Sequence, residues 1–273
     1  MNSSILTNVG AMTALQTLRT VNNDLVRTQD MISTGKKVAN TVDNAAVWTI
    51  SKVMEADITS FESLSDNLGV AQAAVGIARA ATEEVGDILN KVYDKITTAT
   101  ADGVDHTAIQ AEVSALLQGA WDVMNSAQFN GINLVSGATD MTITNRIERT
   151  AAGEITTTNL TITAQNLDAT VLSHIDVEDA ADARSALTQM ETWIDAVNSD
   201  AAAFGAIEQR LSSQTQFLSR MTDSMKAGLG QLVDADLEKA SARLQALQVQ
   251  QQLGVQSLSI ANQAPQTILS LFR

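Results

Sequence analysis

Few side chains in this sequence could carry out chemistry, and they do not converge. His106 and His174 are the only histidines, and cysteine is absent. Neither a His-x-x-x-His pair nor a His-Glu-x-x-His motif occurs, so no helix turn offers two histidines to one metal ion. Glu83-Glu84 and Glu178-Asp179 are adjacent carboxylates that could be read as acid–base pairs. Such pairs are commoner on a solvated helix face or in a first turn, where the helix dipole favours negative charge. No Gly-x-Ser-x-Gly elbow or phosphate-cradling glycine loop is found. Trp48, Trp121 and Trp193 could form a binding cluster, but single residues packing along helix edges explain them more simply. Asn159-Leu-Thr161 is a sequon of low specificity, and the Ser and Thr residues near it are candidates for O-linked sugars. The expectation is therefore a chain with no catalytic, cofactor-binding or metal site, and hence not an enzyme.

Composition narrows the class. Aromatic residues make up only 3% of the chain and there is a single Pro. Narrow seams between helices need fewer large rings than a thick globular core does. The net charge of −14 argues against a nucleic-acid partner, which requires a basic footprint. No apolar run approaches the roughly 20 residues of a membrane span, so membrane insertion is not expected. The start, Met-Asn-Ser-Ser-Ile-Leu-Thr-Asn, lacks the basic and apolar regions of a cleaved secretory signal.

Two terminal stripes organise the chain. Ala11, Leu18, Leu25 and Ile32 recur every seven residues, with Ala14, Leu15 and Val21 on adjoining positions, and Gly35 follows as a helix stop. At the other end, Asp234 or Asp236 is a sound N-cap, and Leu237, Ala240, Leu244 and Leu247 step by three and four. Leu258, Ala261 and Ile268 resume that stripe beyond Gln250, Gln251 and Gln252. The glutamines suit either a coiled-coil face turned to solvent or, the favoured reading, amide bonding between copies or to water. Residues 1–40 carry a net +2 and residues 231–273 a net zero, which leaves −16 for the middle. The ends read as surfaces meant for burial.

Between them, an unbroken run of three- and four-residue steps joins Val47, Ile50, Met54, Ile58, Phe61, Leu64, Leu68, Ala71, Val75, Ala78, Thr82, Val85, Leu89, Val92 and Ile96. A helix of about 50 residues would extend roughly 75 Å. Gly103 interrupts it, and a shorter stripe runs from Ile109 to Ala127. Asn130-Gly131 marks a turn, and the Thr-rich stretch between Met141 and Ile175 predicts one or two hairpins. Helical stepping returns from Ala183 to Met225, with Gly228 and Gly230 expected to end it. The predicted fold is mainly α: an elongated antiparallel helical bundle or coiled coil that joins both chain ends, with a small β-hairpin insert. The expected divisions are a terminal helix with its connector over 1–40, rod helices over 41–136, a β-rich insert over 137–179, a rod helix over 180–230 and a terminal helix over 231–273. A two-helix unit buries little surface and is marginal alone, so other copies of the chain are its natural partners.

Several local motifs together resemble bacterial flagellin, the subunit of the flagellar filament. They are Ile5-Leu-Thr-Asn8, Ser33-Thr-Gly-Lys-Lys-Val38, Asp43-Asn-Ala-Ala46, Gln128-Phe-Asn-Gly131 and the last forty residues through Leu271-Phe-Arg273. The likeness covers roughly residues 1–136 and 180–273. It implies a self-assembling, extracellular helical homopolymer used in swimming, whose chains are exported unfolded through the flagellar channel without a cleaved signal peptide. Inner contacts would fall on Ile5, Leu15, Leu18, Leu25, Ile32, Leu244, Leu247, Leu258, Ile268, Leu269, Leu271 and Phe272. An export chaperone, a cap and hook–filament junction proteins are implied as partners.

One segment departs from the pattern. Flagellins sensed by a host Toll-like receptor resemble Leu-Gln-Arg-Val-Arg-Glu-Leu where this chain has Leu89-Asn-Lys-Val-Tyr-Asp-Lys95. Asn90, Lys91 and Lys95 mark the departure: Lys91 lacks the planar fork of Arg, and Lys95 replaces an apolar residue. The resemblance extends to the hook–filament junction protein, which tends to have Pro-Ser-Asp-Asp-Pro in place of Thr41-Val-Asp-Asn-Ala45. The lack of prolines there favours flagellin. From another class, a coiled-coil adaptor binding partner helices would form discrete dimers rather than a polymer.

Overall fold

The computed structural model describes residues 8–137, 139–150, 153–167 and 175–271, the side chains of 264–271 excepted. Among these residues the helices are α1 (Val9–Thr34), α2 (Thr41–Ala99), α3 (His106–Ser126), α4 (Ala180–Val233) and α5 (Leu237–Leu271). Two antiparallel hairpins accompany them: β1 (Gln128–Phe129) with β2 (Ile132–Asn133), and β3 (Met141–Arg149) with β4 (Ile155–Ile162). The chain divides into two compact units, one made of its two ends up to residue 58 and from residue 224, the other of residues 59–223.

Each helix starts on a side-chain oxygen that occupies an otherwise orphaned N–H. Asn8 Oδ1 accepts from Ala11 N–H at 3.0 Å, Asp105 Oδ1 from Ala108 N–H at 3.1 Å and Asp236 Oδ1 from Lys239 N–H at 3.0 Å. In α2, Asn44 leaves helical geometry (φ −165°, ψ 101°), and its Oδ1 accepts from Val47 N–H at 3.1 Å to open the long helix. Just before it, Asp43 Oδ2 accepts from the N–H groups of Ala39 and Asn40. The Asp43-Asn-Ala-Ala46 motif is thus a turn followed by a cap.

The second unit has one continuous core. Leu64, Leu68, Val75, Val85, Leu89 and Ile96 of α2 meet Val113 and Met124 of α3, Met190, Phe204 and Leu211 of α4, Leu134 just after β2 and Ile162 of β4. The stripe read from the sequence is buried or half-buried throughout its α2 portion in this unit. Its single polar member, Thr82, is fully buried but gives its hydroxyl to the Ala78 carbonyl at 2.8 Å, so no donor is stranded. The two-residue turn between β1 and β2 has positive φ at both Asn130 (51°) and Gly131 (81°), the mirror-image turn that matches strand twist. In β3 a bulge between Thr144 and Arg146 sets Asn145 outside the ladder, and its carbonyl accepts from Gln214 Nε2 of α4 at 3.4 Å.

Two sequence expectations are corrected. Ile50 does not belong to the buried stripe; it is 53% exposed and Ser51 takes the inward position, bonded to the Trp48 carbonyl. Gly228 and Gly230 do not end α4, which continues to Val233. A glycine inside a helix costs only about 1 kcal/mol, which packing outweighs here. A Cβ at Gly228 would make an ordinary contact with Met54 Cε at 3.8 Å, whereas one at Gly230 would stand only 2.7 Å from Asp234 Oδ2.

Candidate assembly surface on the paired chain ends

In the first unit α1 and α5 pack against one another in antiparallel fashion. The inward side of α1 is Ala11, Ala14, Leu18, Val21, Leu25, Thr28 and Ile32, an unbroken three–four heptad. Facing it on α5 are Ala240, Leu244, Leu247, Gly254, Leu258 and Ala261, all buried or half-buried. Gly254 sets the approach: a Cβ there would stand 3.1 Å from Leu18 Cδ1. Gln251 Nε2 donates to Asn22 Oδ1 at 2.7 Å, so this glutamine bonds within the chain, where the sequence suggested bonding between copies or to water. Gln250 and Gln252 are exposed. At the far end the pair is tied by backbone, with Lys37 N–H donating to the Val233 carbonyl at 2.7 Å and Ala235 N–H to that of Gly35 at 2.8 Å.

Six of the expected contact residues therefore lie along this seam: Leu18, Leu25, Ile32, Leu244, Leu247 and Leu258. Leu15 is off it and 41% exposed. Ile5 and Phe272 lie outside the described residues, as does His174. Ile268, Leu269 and Leu271 belong to the helical backbone of α5, with side chains outside the description. Spacing alone missed Thr28, which is buried because its hydroxyl bonds the Asp24 carbonyl at 2.7 Å. Its place in the heptad between Leu25 and Ile32 was the available signal.

The seam covers only one side of each helix. Val9, Met12 and Val26 on α1 and Val249, Leu253, Val255 and Ile260 on α5 are each more than half exposed. On α5, Ala242, Ala246, Val249, Leu253 and Ile260 make a second apolar line at helical spacing. Between the helices an open groove of about 730 Å³ is lined by Gly10, Ala14, Val21, Leu253 and Gly254, among others. Elsewhere along the pair, Arg243 of α5 and Asp24 of α1 meet at 3.5 Å, too exposed to contribute much.

In the second unit, Asn90, Lys91 and Lys95 are exposed on α2, while the neighbouring Leu89 and Val92 are buried in the core. Lys95 pairs with Glu112 of α3. Tyr93 donates its hydroxyl to Glu191 at 3.3 Å, and that carboxylate raises the Tyr93 pKa. The carboxylate pairs have structural roles: Glu83 bonds Arg79, which also holds Glu208 at 2.7 Å, and Asp179 caps α4. Trp48 lies in the first unit, with Lys52 Nζ 5.9 Å from its ring centre; Trp121 and Trp193 lie in the second. Among the described residues, no group of three potential metal ligands occurs, and no helix is long and apolar enough to cross a membrane.

End helices with a second, uncovered apolar line are what a subunit that packs against other chains requires. Comparison with known proteins identifies which. Residues 5–140 match the bacterial flagellin N-terminal helical region, and residues 187–272 match the bacterial flagellin C-terminal helical region. A flagellin of Brucella melitensis is 37% identical, with 99% of each chain covered. Flagellin FljM of Caulobacter vibrioides is 35% identical, and flagellin C of Rhizobium meliloti 34%, each again with 99% of both chains covered. The chain belongs to the bacterial flagellin family and is a structural subunit of the flagellar filament, not an enzyme.

Proposed function

We propose that the paired ends form the inner layer of the filament and that the uncovered apolar lines of α1 and α5 are its contacts between copies. The observation that carries this reading is the exposure of Val249, Leu253 and Ile260 on a helix whose other side is already buried against α1. Leu18, Leu25, Ile32, Leu244, Leu247 and Leu258 set the pair, and Leu15 with Ile5, Ile268, Leu269, Leu271 and Phe272 extends its contact surface. Contacts of this kind join unlike faces and need not close, which gives a helical polymer.

The two-helix unit buries little and is only marginally ordered in the free chain, so its order is completed as copies add. In this reading residues 1–40 and 231–273 form the inner layer, 41–136 and 180–230 the rod, and 137–179 a small outer insert that adds modest surface detail. Export through the flagellar channel without a cleaved signal peptide, an export chaperone, a cap and junction proteins complete the proposal. The test is negative-stain electron microscopy of purified chain after adding short filament seeds. Long uniform filaments are expected; discrete dimers under every salt condition would overturn it and favour an adaptor or junction role.

A further inference from the structure

The single proline of the chain lies inside a helix. Pro265 falls within α5, which keeps helical backbone to Leu271. A proline has no N–H, so the carbonyl four residues earlier loses its helical partner, and the helix is weakened at that point. That carbonyl belongs to Ala261. It is taken up from outside the helix: Asn8 Nδ2 donates to the Ala261 oxygen at 2.7 Å. The same side chain uses its other atom, Oδ1, to accept from Ala11 N–H at 3.0 Å and start α1. Gly10 sits beside this contact, where a Cβ would make only ordinary contacts, 3.5 Å to Asn8 Oδ1 and 3.9 Å to the Ala261 methyl.

We propose that Asn8 is a positioning residue that couples the two chain ends, capping α1 with its oxygen while its amide N–H replaces the donor missing at Pro265. Continuation of α5 beyond residue 265 then depends on α1 being docked. A proline alone would favour a break at that point; the docked Asn8 offsets it. No other side-chain type does both tasks as well. Aspartate keeps the cap but offers no donor, and serine is too short to reach both atoms with one side chain. Within the assembly reading, the device means the last turns of α5 are presented to neighbouring copies only from a chain whose N-terminal helix is already in place.

The test is a double-mutant cycle on the full chain with Asn8→Asp, Asn8→Ser, Pro265→Ala and the two combinations. The readout is amide hydrogen exchange of residues 266–271, in seeded filaments and in the free chain. With Pro265 present, each Asn8 change is expected to speed exchange about fivefold or more, in line with loss of one hydrogen bond to a partly buried backbone group. In the Pro265→Ala background, where the backbone N–H is restored, the same change should have less than about half that effect on a logarithmic scale. Equal effects in the two backgrounds would overturn the coupling. Failure of the wild-type chain to form filaments bears on the assembly reading alone, because the cycle can still be read on the free chain. If residues 266–271 exchange at the unprotected rate in the wild-type chain in both states, the coupling is refuted as well.

Discussion

Asp179 and Asp200 show how two carboxylates on one helix acquire opposite pH responses. Asp179 Oδ1 accepts from the N–H groups of Ala181 at 2.7 Å and Asp182 at 2.8 Å. The Asp182 and Ala181 bonds hold its carboxyl below the usual range, with His106 and Arg184 adding smaller attractions. The folded state therefore favours the ionised form, so the stabilisation is present above the ordinary carboxylate pKa and is lost as the pH falls through the depressed folded value. Asp179→Asn keeps a capping oxygen but removes the titration. Its Tm should lie below wild type at neutral pH and converge with it in acid; a gap independent of pH would exclude the mechanism. Asp200 is raised by partial burial, so its ionised form is the disfavoured one. Its cost is present at neutral pH and disappears as the pH falls through the raised value. Asp200→Asn should accordingly raise Tm at neutral pH and leave it nearly unchanged in acid, as thermal unfolding followed by circular dichroism would report.

At the scale of elements, periodicity made the long helices legible because one buried face repeats without interruption from Ile58 to Ile96. The Asn130-Gly131 turn was equally readable, since both residues adopt positive φ. Gly131→Ala places a Cβ on a backbone at φ 81°, which should cost about 1 kcal/mol in chemical denaturation. A cost near zero would mean the turn relaxes to another type. What spacing could not supply was any decision that depends on a second segment. Gly228 looked like a helix end because its neighbour Met54, on another chain segment, is invisible in one dimension. Gln251 looked free for other copies because Asn22 is more than two hundred residues away. The task of Asn8 is legible only once Ala261 and Pro265 are brought to it. Leu15 and Leu18 are both leucines on one helix, and only the register against α5 turns Leu18 inwards and leaves Leu15 on the surface.

For the whole molecule, the questions are what the exposed surfaces of the units meet. The α2 face around Asn90, Lys91 and Lys95 departs from the receptor-binding pattern of the sensed flagellins that it otherwise resembles. Lys95 is further engaged with Glu112. Purified chain should give weak or no response in reporter cells carrying the flagellin-sensing Toll-like receptor, and a full response would sink this reading. The apolar line of α5 allows a sharper test of assembly. Leu253 is 60% and Ile260 63% exposed, and neither is a member of the seam with α1. A charge placed on either leaves the folded chain solvated, whereas burial in a contact with another copy would force an unpaired charge out of water at a cost of several kcal/mol. Leu253→Lys and Ile260→Lys should therefore keep wild-type circular dichroism and thermal unfolding of the free chain while abolishing seeded elongation. Leu247→Lys provides the contrast, because Leu247 is only 5% exposed against α1, so it should damage the pair and any polymer together. Elongation by both surface variants at the wild-type rate would move the contacts between copies away from this line of α5 and onto another face of the pair.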